Sequence, residues 1–167
     1  MEEYVELTRE NASSALEIYN FYVMNTTATY GTVPLSLEEF ISYYQIENPK
    51  SFSYLVMDNG KVAGFCLLKP WNAKKEAYDH TYEATMYFAK DFCGKGYGKR
   101  AFEFLEKKAL ETDIFVIMAG VCGENGASNG LCEKMGYEQC GHLKKVGFKF
   151  GRFLDILYFE KILKMDI

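Results

Sequence analysis

The chain has 167 residues, and we expect residues 1–167 to form a single domain. Because 49% of the residues are hydrophobic and 16% aromatic, the chain can bury a core without disulfides or metal ions. The net charge of −4, with no basic stripe, disfavours nucleic acid as a partner, and the longest apolar run is too short to cross a bilayer.

The amino terminus and the cysteine content indicate the cellular compartment of the protein. The opening Met-Glu-Glu-Tyr lacks the basic and apolar segments of a secretion signal. The chain has five cysteines, an odd number, and no two of them are spaced as CxxC. Because disulfides persist mainly in oxidising compartments, we expect a cytoplasmic protein with reduced thiols and without a metal site.

The first half of the chain predicts strands from alternating polarity and two helices from apolar residues at helical spacing. Asn11 is placed to cap the first helix, and Ser36 with Glu39 forms a capping box for the second. Residues 58–60, Asp-Asn-Gly, predict a tight turn. In chain order, the predicted elements are a strand over 4–8, a helix between Asn11 and Thr26, a helix over 37–47, and a hairpin of strands over 52–57 and 61–68.

The second half begins with a polar loop over 70–79. The elements predicted after it are a strand over 81–89, an amphipathic helix over 97–111, a buried strand over 114–121, a helix over 127–135 that ends at Gly136, and strands over 137–146 and 152–162. The order β-α-α-β-β-β-α-β-α-β-β predicts an α/β (α+β) fold, in which a mixed, mostly antiparallel sheet has helices on both faces.

Alternating glycines precede the helix predicted at 97–111. The run over 93–100 reads Cys-Gly-Lys-Gly-Tyr-Gly-Lys-Arg, and its bare amides beside a helix N-terminus can bind an anion such as a pyrophosphate. The run matches neither the P-loop nor the G-x-G-x-x-G pattern. Taken alone, it is also compatible with a flexible turn that binds nothing.

Asn125 begins the second segment of interest, directly after the buried strand. One interpretation is an ordinary helix cap, and the other is a ligand-binding side chain at the carboxyl end of a strand, where open sheets bind ligands. Ser128 follows three residues later. The segment therefore allows either a structural or a functional role.

Together, these two segments resemble motifs A and B of the GCN5-related N-acetyltransferase (GNAT) superfamily. In motif A, Gly96 and Gly98 match, whereas Cys93 stands where Gln or Arg is usual. In motif B, Cys132 stands where many members have Tyr. The residues that match motif B are Asn125, Ser128, Gly136 and Tyr137.

Three further segments, over 25–30, 78–83 and 146–155, resemble the phosphinothricin and methionine sulfone N-acetyltransferases within that superfamily. The resemblance extends over about residues 4–162. It implies acetyl-CoA as cosubstrate, a small amino-acid-like amine as acceptor, and a homodimer. The alternatives are a protein or peptide N-terminal acetyltransferase on the same fold and a non-catalytic CoA-binding module.

An amine that attacks a thioester must first lose a proton. Glu83 lies mid-strand among apolar residues, and the resemblance implies that it is the general base. His80 is the rival base. Cys132 is a candidate to protonate the leaving thiolate, although a buried cysteine is usually inert core filling.

The resemblance also implies binding residues for the cosubstrate. The backbone of Met86, Tyr87 and Phe88 is expected to bind the pantetheine arm as an added strand and to donate an N–H to the oxyanion. The other residues expected to bind the cosubstrate are Gly94, Lys95, Gly96, Tyr97, Gly98, Lys99, Asn125, Ser128 and Lys134.

For the acceptor, Tyr30 and Phe21 are expected to line an apolar slot, and Lys74 or Lys75 to bind a carboxylate. The unusual segment over 146–155 is a candidate for the pocket floor or for a dimer contact. Its candidate residues are Phe148, Lys149, Phe150, Arg152 and Asp155.

Overall fold

Seven strands form one sheet in the computed structural model, which describes residues 1–165. The strands are β1 (Glu2–Glu6), β2 (Phe52–Asp58), β3 (Lys61–Pro70), β4 (Thr81–Phe88), β5 (Val116–Cys122), β6 (Glu138–Lys149) and β7 (Arg152–Ile162). Their order across the sheet is β1-β2-β3-β4-β5-β7-β6. The β4–β5 pair is parallel and the other five pairs are antiparallel. The predicted mixed, mostly antiparallel sheet is therefore confirmed.

Helices cover both faces of this sheet, as predicted. The helices are α1 (Ala12–Asn25), α2 (Leu37–Tyr43), α3 (Tyr97–Leu110) and α4 (Gly126–Lys134). Strand β3 is buried on both sides: Phe65 and Leu67 belong to the core under α1 and α2, while Cys66 and Leu68 belong to the core under α3. This two-sided burial explains why β3 reads as a continuous apolar run rather than as an alternating one.

Local signals predicted where both α1 and α2 begin, but the side-chain cap expected for α1 is absent. The Ser36–Glu39 capping box is present, with both reciprocal hydrogen bonds. Asn11 occupies the N-cap position of α1 but makes no capping hydrogen bond. Its side chain instead accepts from the Thr8 amide at 2.8 Å and donates to the Glu6 carbonyl at 2.9 Å, so it closes the turn between β1 and α1.

Several predicted boundaries were wrong by a few residues. The first strand ends at Glu6 rather than at residue 8, and α2 ends at Tyr43 rather than at residue 47 because Gln45 has a left-handed φ of 53°. Strand β5 begins at Val116, two residues after the predicted start at residue 114. Strand β6 continues three residues past 146, through an irregularity at which Lys145 has a φ of 55°.

The fold creates a gap at the centre of the sheet. Strands β4 and β5 pair at only three positions, from Thr81–Val116 to Glu83–Met118. Beyond them, β4 continues beside β3, and β5 continues beside β7. Because α3 follows β4 and α4 follows β5, both helices begin at the carboxyl ends of the two strands that part.

Candidate active site

A cleft of about 780 Å³ occupies the gap between β4 and β5. The parted strands form its side walls, and the first turns of α3 and α4 form one end. Side chains from α1, α2, β3 and β7 complete the other walls. The cleft therefore joins a helix N-terminus to the point at which the strands divide.

The loop before α3 presents its backbone to one end of this cleft. Gly94 and Gly96 have φ angles of 73° and 82°, which are accessible to glycine and strained for other residues. Gly96 is the N-cap of α3 and makes no side-chain capping hydrogen bond, so the first amides of the helix have no side-chain partner there. Unsatisfied amides at a helix N-terminus favour an anion.

Gly98 has a different role from the other two glycines. A Cβ atom at this position would lie 2.8 Å from Cδ2 of Leu131 in α4 and 4.0 Å from Sδ of Met86 in β4. Gly98 therefore permits close packing of α3 against α4 and β4. A larger side chain would disturb this packing rather than reach into the loop.

The arginine in the first turn of α3 holds the glycine loop. Arg100 Nη1 donates to the Lys95 carbonyl at 3.2 Å, and Arg100 Nε contacts Glu2 Oε2 at 2.7 Å. The guanidinium also stacks 4.5 Å from the ring centroid of Tyr97. The Tyr97 hydroxyl donates to Asp58 at 2.8 Å, so this side chain anchors α3 to the β2–β3 turn.

The structure brings most of the predicted cosubstrate-binding residues to the cleft. The predicted residues that line it are Met86, Tyr87, Phe88, Gly94, Gly96, Tyr97, Gly98, Lys99, Asn125, Ser128 and Lys134. Lys95 is the exception, because it does not line the cleft; its ammonium lies 5.9 Å from the ring centroid of Phe92.

Asn125 is a helix cap that also lies on the wall of the cleft. Its side-chain oxygen accepts from the Ser128 amide at 3.2 Å, which is the geometry of a helix cap. Asn125 and Ser128 also line the cleft, at the carboxyl end of β5. The cap therefore fixes the orientation of a polar side chain on the cleft wall.

Glu83 occupies the point at which the strands divide. It is the last residue of β4 with a partner in β5, and its carboxylate lines the cleft with 34% of the side chain exposed. Lys69 lies directly opposite in β3, and its Nζ is 3.9 Å from Glu83 Oε2. The site therefore carries a carboxylate and an ammonium side by side.

His80 lies away from this carboxylate. Its Nδ1 donates to the Asp113 carbonyl at 2.6 Å, and its ring packs against Phe115. The side chain is exposed and does not line the cleft. His80 is therefore poorly placed to act as the base.

Cys132 lines the cleft from α4 but belongs to the hydrophobic core. Only 2% of its surface is exposed, and burial raises the pKa of its thiol to about 11. An unperturbed thiol titrates near pH 8.5, so proton transfer from Cys132 to an ordinary thiolate would cost about 3 kcal/mol. The thiol is thus a weak acid for this purpose.

The loop over 26–30 forms a wall of the cleft and is held by the segment over 146–155. Tyr30 packs its ring on Gly147 and donates its hydroxyl to the Asp155 carbonyl. Lys149 is only 4% exposed and donates to the Thr29 carbonyl at 2.8 Å. Its desolvation lowers the pKa of the ammonium.

A second contact joins the same segment to the start of α4. Arg152 forms a bidentate pair with Glu124, with Nη2 2.7 Å from Oε1, and Thr27 donates to the same carboxylate at 2.6 Å. These bonds lower the pKa of Glu124 to about 2. The segment over 146–155 therefore holds the loop over 26–30 and the start of α4 in place on the cleft wall. Its Phe148 and Phe150 side chains are exposed.

The structure does not bring three of the predicted acceptor residues to the cleft. Lys74 and Lys75 are exposed in the loop after β3 and do not line it. Phe21 is also exposed and lines a separate, smaller pocket between α1 and the segment that follows β4. Tyr30 is the predicted acceptor residue that does line the cleft.

Sequence reasoning missed several residues that line the cleft. They are Tyr22, Tyr43, Tyr44, Lys69, Trp71 and Tyr158. A usable signal existed for Lys69, because it directly follows the apolar run over 62–68 within one predicted hairpin strand and its extension. The tyrosines gave no such signal, since aromatic residues at helix or strand spacing are normally core.

Within residues 1–165, no group of three or more His, Cys, Asp or Glu is arranged to hold a metal ion. No helix in that part of the chain has both the length and the apolar character needed to cross a membrane.

Comparison with known proteins yields consistent matches. The sequence model of the acetyltransferase (GNAT) family matches residues 15–137. An L-methionine sulfoximine/L-methionine sulfone acetyltransferase of Pseudomonas aeruginosa is 31% identical over 87% of this chain and 85% of its own length.

Solved structures agree with this match. A phosphinothricin acetyltransferase of the GNAT superfamily from Sinorhizobium meliloti, in complex with AcCoA, has a TM-score of 0.89 and 26% identity, over 96% of this chain and 88% of that one. A ribosomal-protein-alanine N-acetyltransferase from Brucella melitensis has a TM-score of 0.87 and 31% identity, over 97% of this chain and 99% of that one.

Proposed function

The chain belongs to the acetyltransferase (GNAT) family, and we propose that it transfers the acetyl group of acetyl-CoA to the amine of a small amino-acid-like acceptor. One observation carries the proposal: a single cleft joins the glycine loop before α3 to the carboxylate of Glu83. An anion site at one end and a base at the other suit a cosubstrate with a pyrophosphate and an acceptor with an ionised amine. Two of the similar proteins are named for amino-acid analogues, methionine sulfoximine or sulfone and phosphinothricin, which supports the acceptor class. The third is named for a ribosomal protein, which is the class of the alternative acceptor.

In this proposal, the amides from Gly94 to Lys99 bind the pyrophosphate. The absence of a side-chain cap on α3 supports this assignment, because an anion then supplies the missing acceptors. The β4 edge from Met86 to Phe88 binds the pantetheine arm, since the facing strand β5 has already parted from it. An N–H of this edge stabilises the oxyanion that forms when the amine attacks.

Glu83 takes the proton of the acceptor amine. Glu83 lies where the strands divide, just before the β4 edge that would hold the thioester. Both line the same cleft. His80 lies outside that cleft and is not assigned a catalytic role. Because burial makes the thiol of Cys132 a weak acid, the leaving thiolate takes its proton from solvent rather than from this residue.

We further propose that each chain is a single domain and that two copies form a homodimer in the cytoplasm. The five cysteines are all unpaired, which fits a reducing compartment. The β6–β7 hairpin exposes an aromatic cluster of Phe148, Phe150 and Phe153, each about 60% exposed. Large apolar side chains gathered at one place on a surface are typical of an interface.

The acceptor class can be tested with a panel of amines. We expect acetylation of L-methionine sulfone or L-phosphinothricin, with kcat/KM at least tenfold above that for a peptide with an N-terminal alanine. Products should be measured by mass spectrometry, because exposed Cys93 and Cys140 would react with a thiol reagent. A preference for the peptide would favour N-terminal acetylation, and transfer to neither class would favour a CoA-binding module.

The anion site can be tested with two glycines in the same strained conformation. Gly94 and Gly60 have φ angles of +73° and +77°, and no atom lies within 4 Å of an added Cβ at either position. Alanine should therefore destabilise both variants similarly, by about 1–2 kcal/mol. We expect Gly94→Ala alone to raise the Kd for acetyl-CoA, by about tenfold, in calorimetry. Equal affinities would place the pyrophosphate elsewhere.

The base can be tested with Glu83→Gln, which keeps the shape of the side chain. We expect kcat at pH 7 to fall by ~10²-fold or more, because general-base assistance typically contributes ~10²–10⁴-fold. The affinity for acetyl-CoA should change little. The loss should shrink as the pH rises through the pKa of the acceptor amine, because more of the amine is then free without help from a base. Near-normal kcat at pH 7 would assign proton removal to solvent or to His80.

Cys132→Ala tests the proposed source of the last proton. We expect the variant to keep at least a tenth of the kcat of the parent, because the thiol is too weak an acid to assist. Loss of the buried sulfur should lower the free energy of unfolding by about 1 kcal/mol. If kcat fell a thousandfold while the fold stayed intact by circular dichroism, Cys132 would be the general acid.

A further inference from the structure

Lys69 lies deep in the cleft, next to the proposed base. It pairs with Glu83 across the β3–β4 ladder, so the two side chains project from the same face of the sheet. Only 14% of its side chain is exposed. Its Nζ lies 5.2 Å from the ring centroid of Tyr43 and 6.0 Å from that of Tyr44. The ammonium is therefore held against aromatic faces rather than extended into solvent.

The ammonium of Lys69 has hydrogen-bonding capacity to spare. It carries three N–H donors, and among residues 1–165 it donates no hydrogen bond. The 3.9 Å separation from Glu83 is an ion pair without a hydrogen bond. Cation–π contacts compensate for only part of the lost hydration. A ligand with anionic oxygens would satisfy the remaining donors.

The two charges also define the kind of acceptor that fits. Glu83 can receive an ammonium, and Lys69 can receive an anion a few ångströms away. We infer that Lys69 determines specificity by binding the carboxylate of the acceptor while Glu83 receives its amine. This inference rests on the proposed function, in which Glu83 is the base. It replaces Lys74 and Lys75, whose side chains lie outside the cleft, as the carboxylate-binding residue.

The inference distinguishes binding from an effect on the base. If Lys69 acted only on Glu83, its removal would alter kcat for every amine to a similar extent. If it binds the acceptor, its removal affects only acceptors that carry the carboxylate. Charge-assisted hydrogen bonds are strong enough for their loss to weaken binding by about tenfold to a hundredfold.

The experiment compares L-methionine sulfone with its decarboxylated amine in the parent and in Lys69→Met, which keeps the length and apolar stem of the side chain. We expect KM for the amino acid to rise at least tenfold in the variant, whereas kcat/KM for the amine changes less than threefold. Lys69→Arg should preserve the preference for the amino acid. The deaminated carboxylic acid should inhibit the parent competitively against the amino acid and inhibit Lys69→Met at least tenfold less well.

A lysine variant away from the cleft serves as the control, and three results would contradict the inference or the proposed function. Lys61→Met, at the exposed β2–β3 turn, should behave as the parent does. Parallel losses for both acceptors in Lys69→Met would overturn the inference, and so would a loss of the preference in Lys74→Met or Lys75→Met instead. In each of these cases the parent remains active and the proposed function stands. A parent that acetylates neither compound would overturn both.

Discussion

The early end of pairing between β4 and β5 is the constraint on which the rest of the structure depends. Backbone N–H and C=O groups in the middle of a sheet normally satisfy one another. Here the partnership lasts from Thr81 to Glu83, after which each strand has a partner on only one side. The facing edges are therefore available to an extended ligand, which can hydrogen-bond to β4 as an additional strand.

The division persists because each strand is held at its far end by different neighbours. The Ala89 amide donates to the Ala63 carbonyl at 2.8 Å, and Tyr22 of α1 donates to the Phe88 carbonyl at 2.6 Å, so the end of β4 is tied to β3 and α1. The Gly123 amide donates to the Asp155 carbonyl at 2.9 Å, which ties the end of β5 to β7. These contacts bind the ends of β4 and β5 to elements on opposite sides of the cleft.

Local sequence signals predicted what depends on neighbours in the chain. The Ser36–Glu39 box and the order of strands and helices follow from short-range patterns, and the structure contains them. Asn11 closes a turn instead of capping α1, and Gln45 adopts a left-handed conformation that ends α2 early. In both places several local conformations are compatible with the sequence, which does not show which of them has the lowest free energy. The Lys69–Glu83 pair depends on strand register across a loop of about ten residues, and a shift of one residue would place the two side chains on opposite faces. For that reason the sequence indicated Glu83 as a site residue but did not indicate the lysine that lies opposite it in the cleft.

The chain departs from the family pattern at Cys93 and Cys132, and the same physical explanation applies to both. Cys93 supplies no charged side chain at the start of the glycine loop, but Arg100 holds the loop from its other side through the Lys95 carbonyl. Cys132 supplies no effective acid, but a thiolate is a good leaving group and the cleft is open to water. Neither cysteine stands at the division of the strands, where the proposed mechanism has the amine attack the thioester. In the proposed mechanism, the chemistry therefore depends on Glu83 and the β4 edge, which the sheet itself brings together. The two departures would change only how the cosubstrate is held and where its last proton comes from.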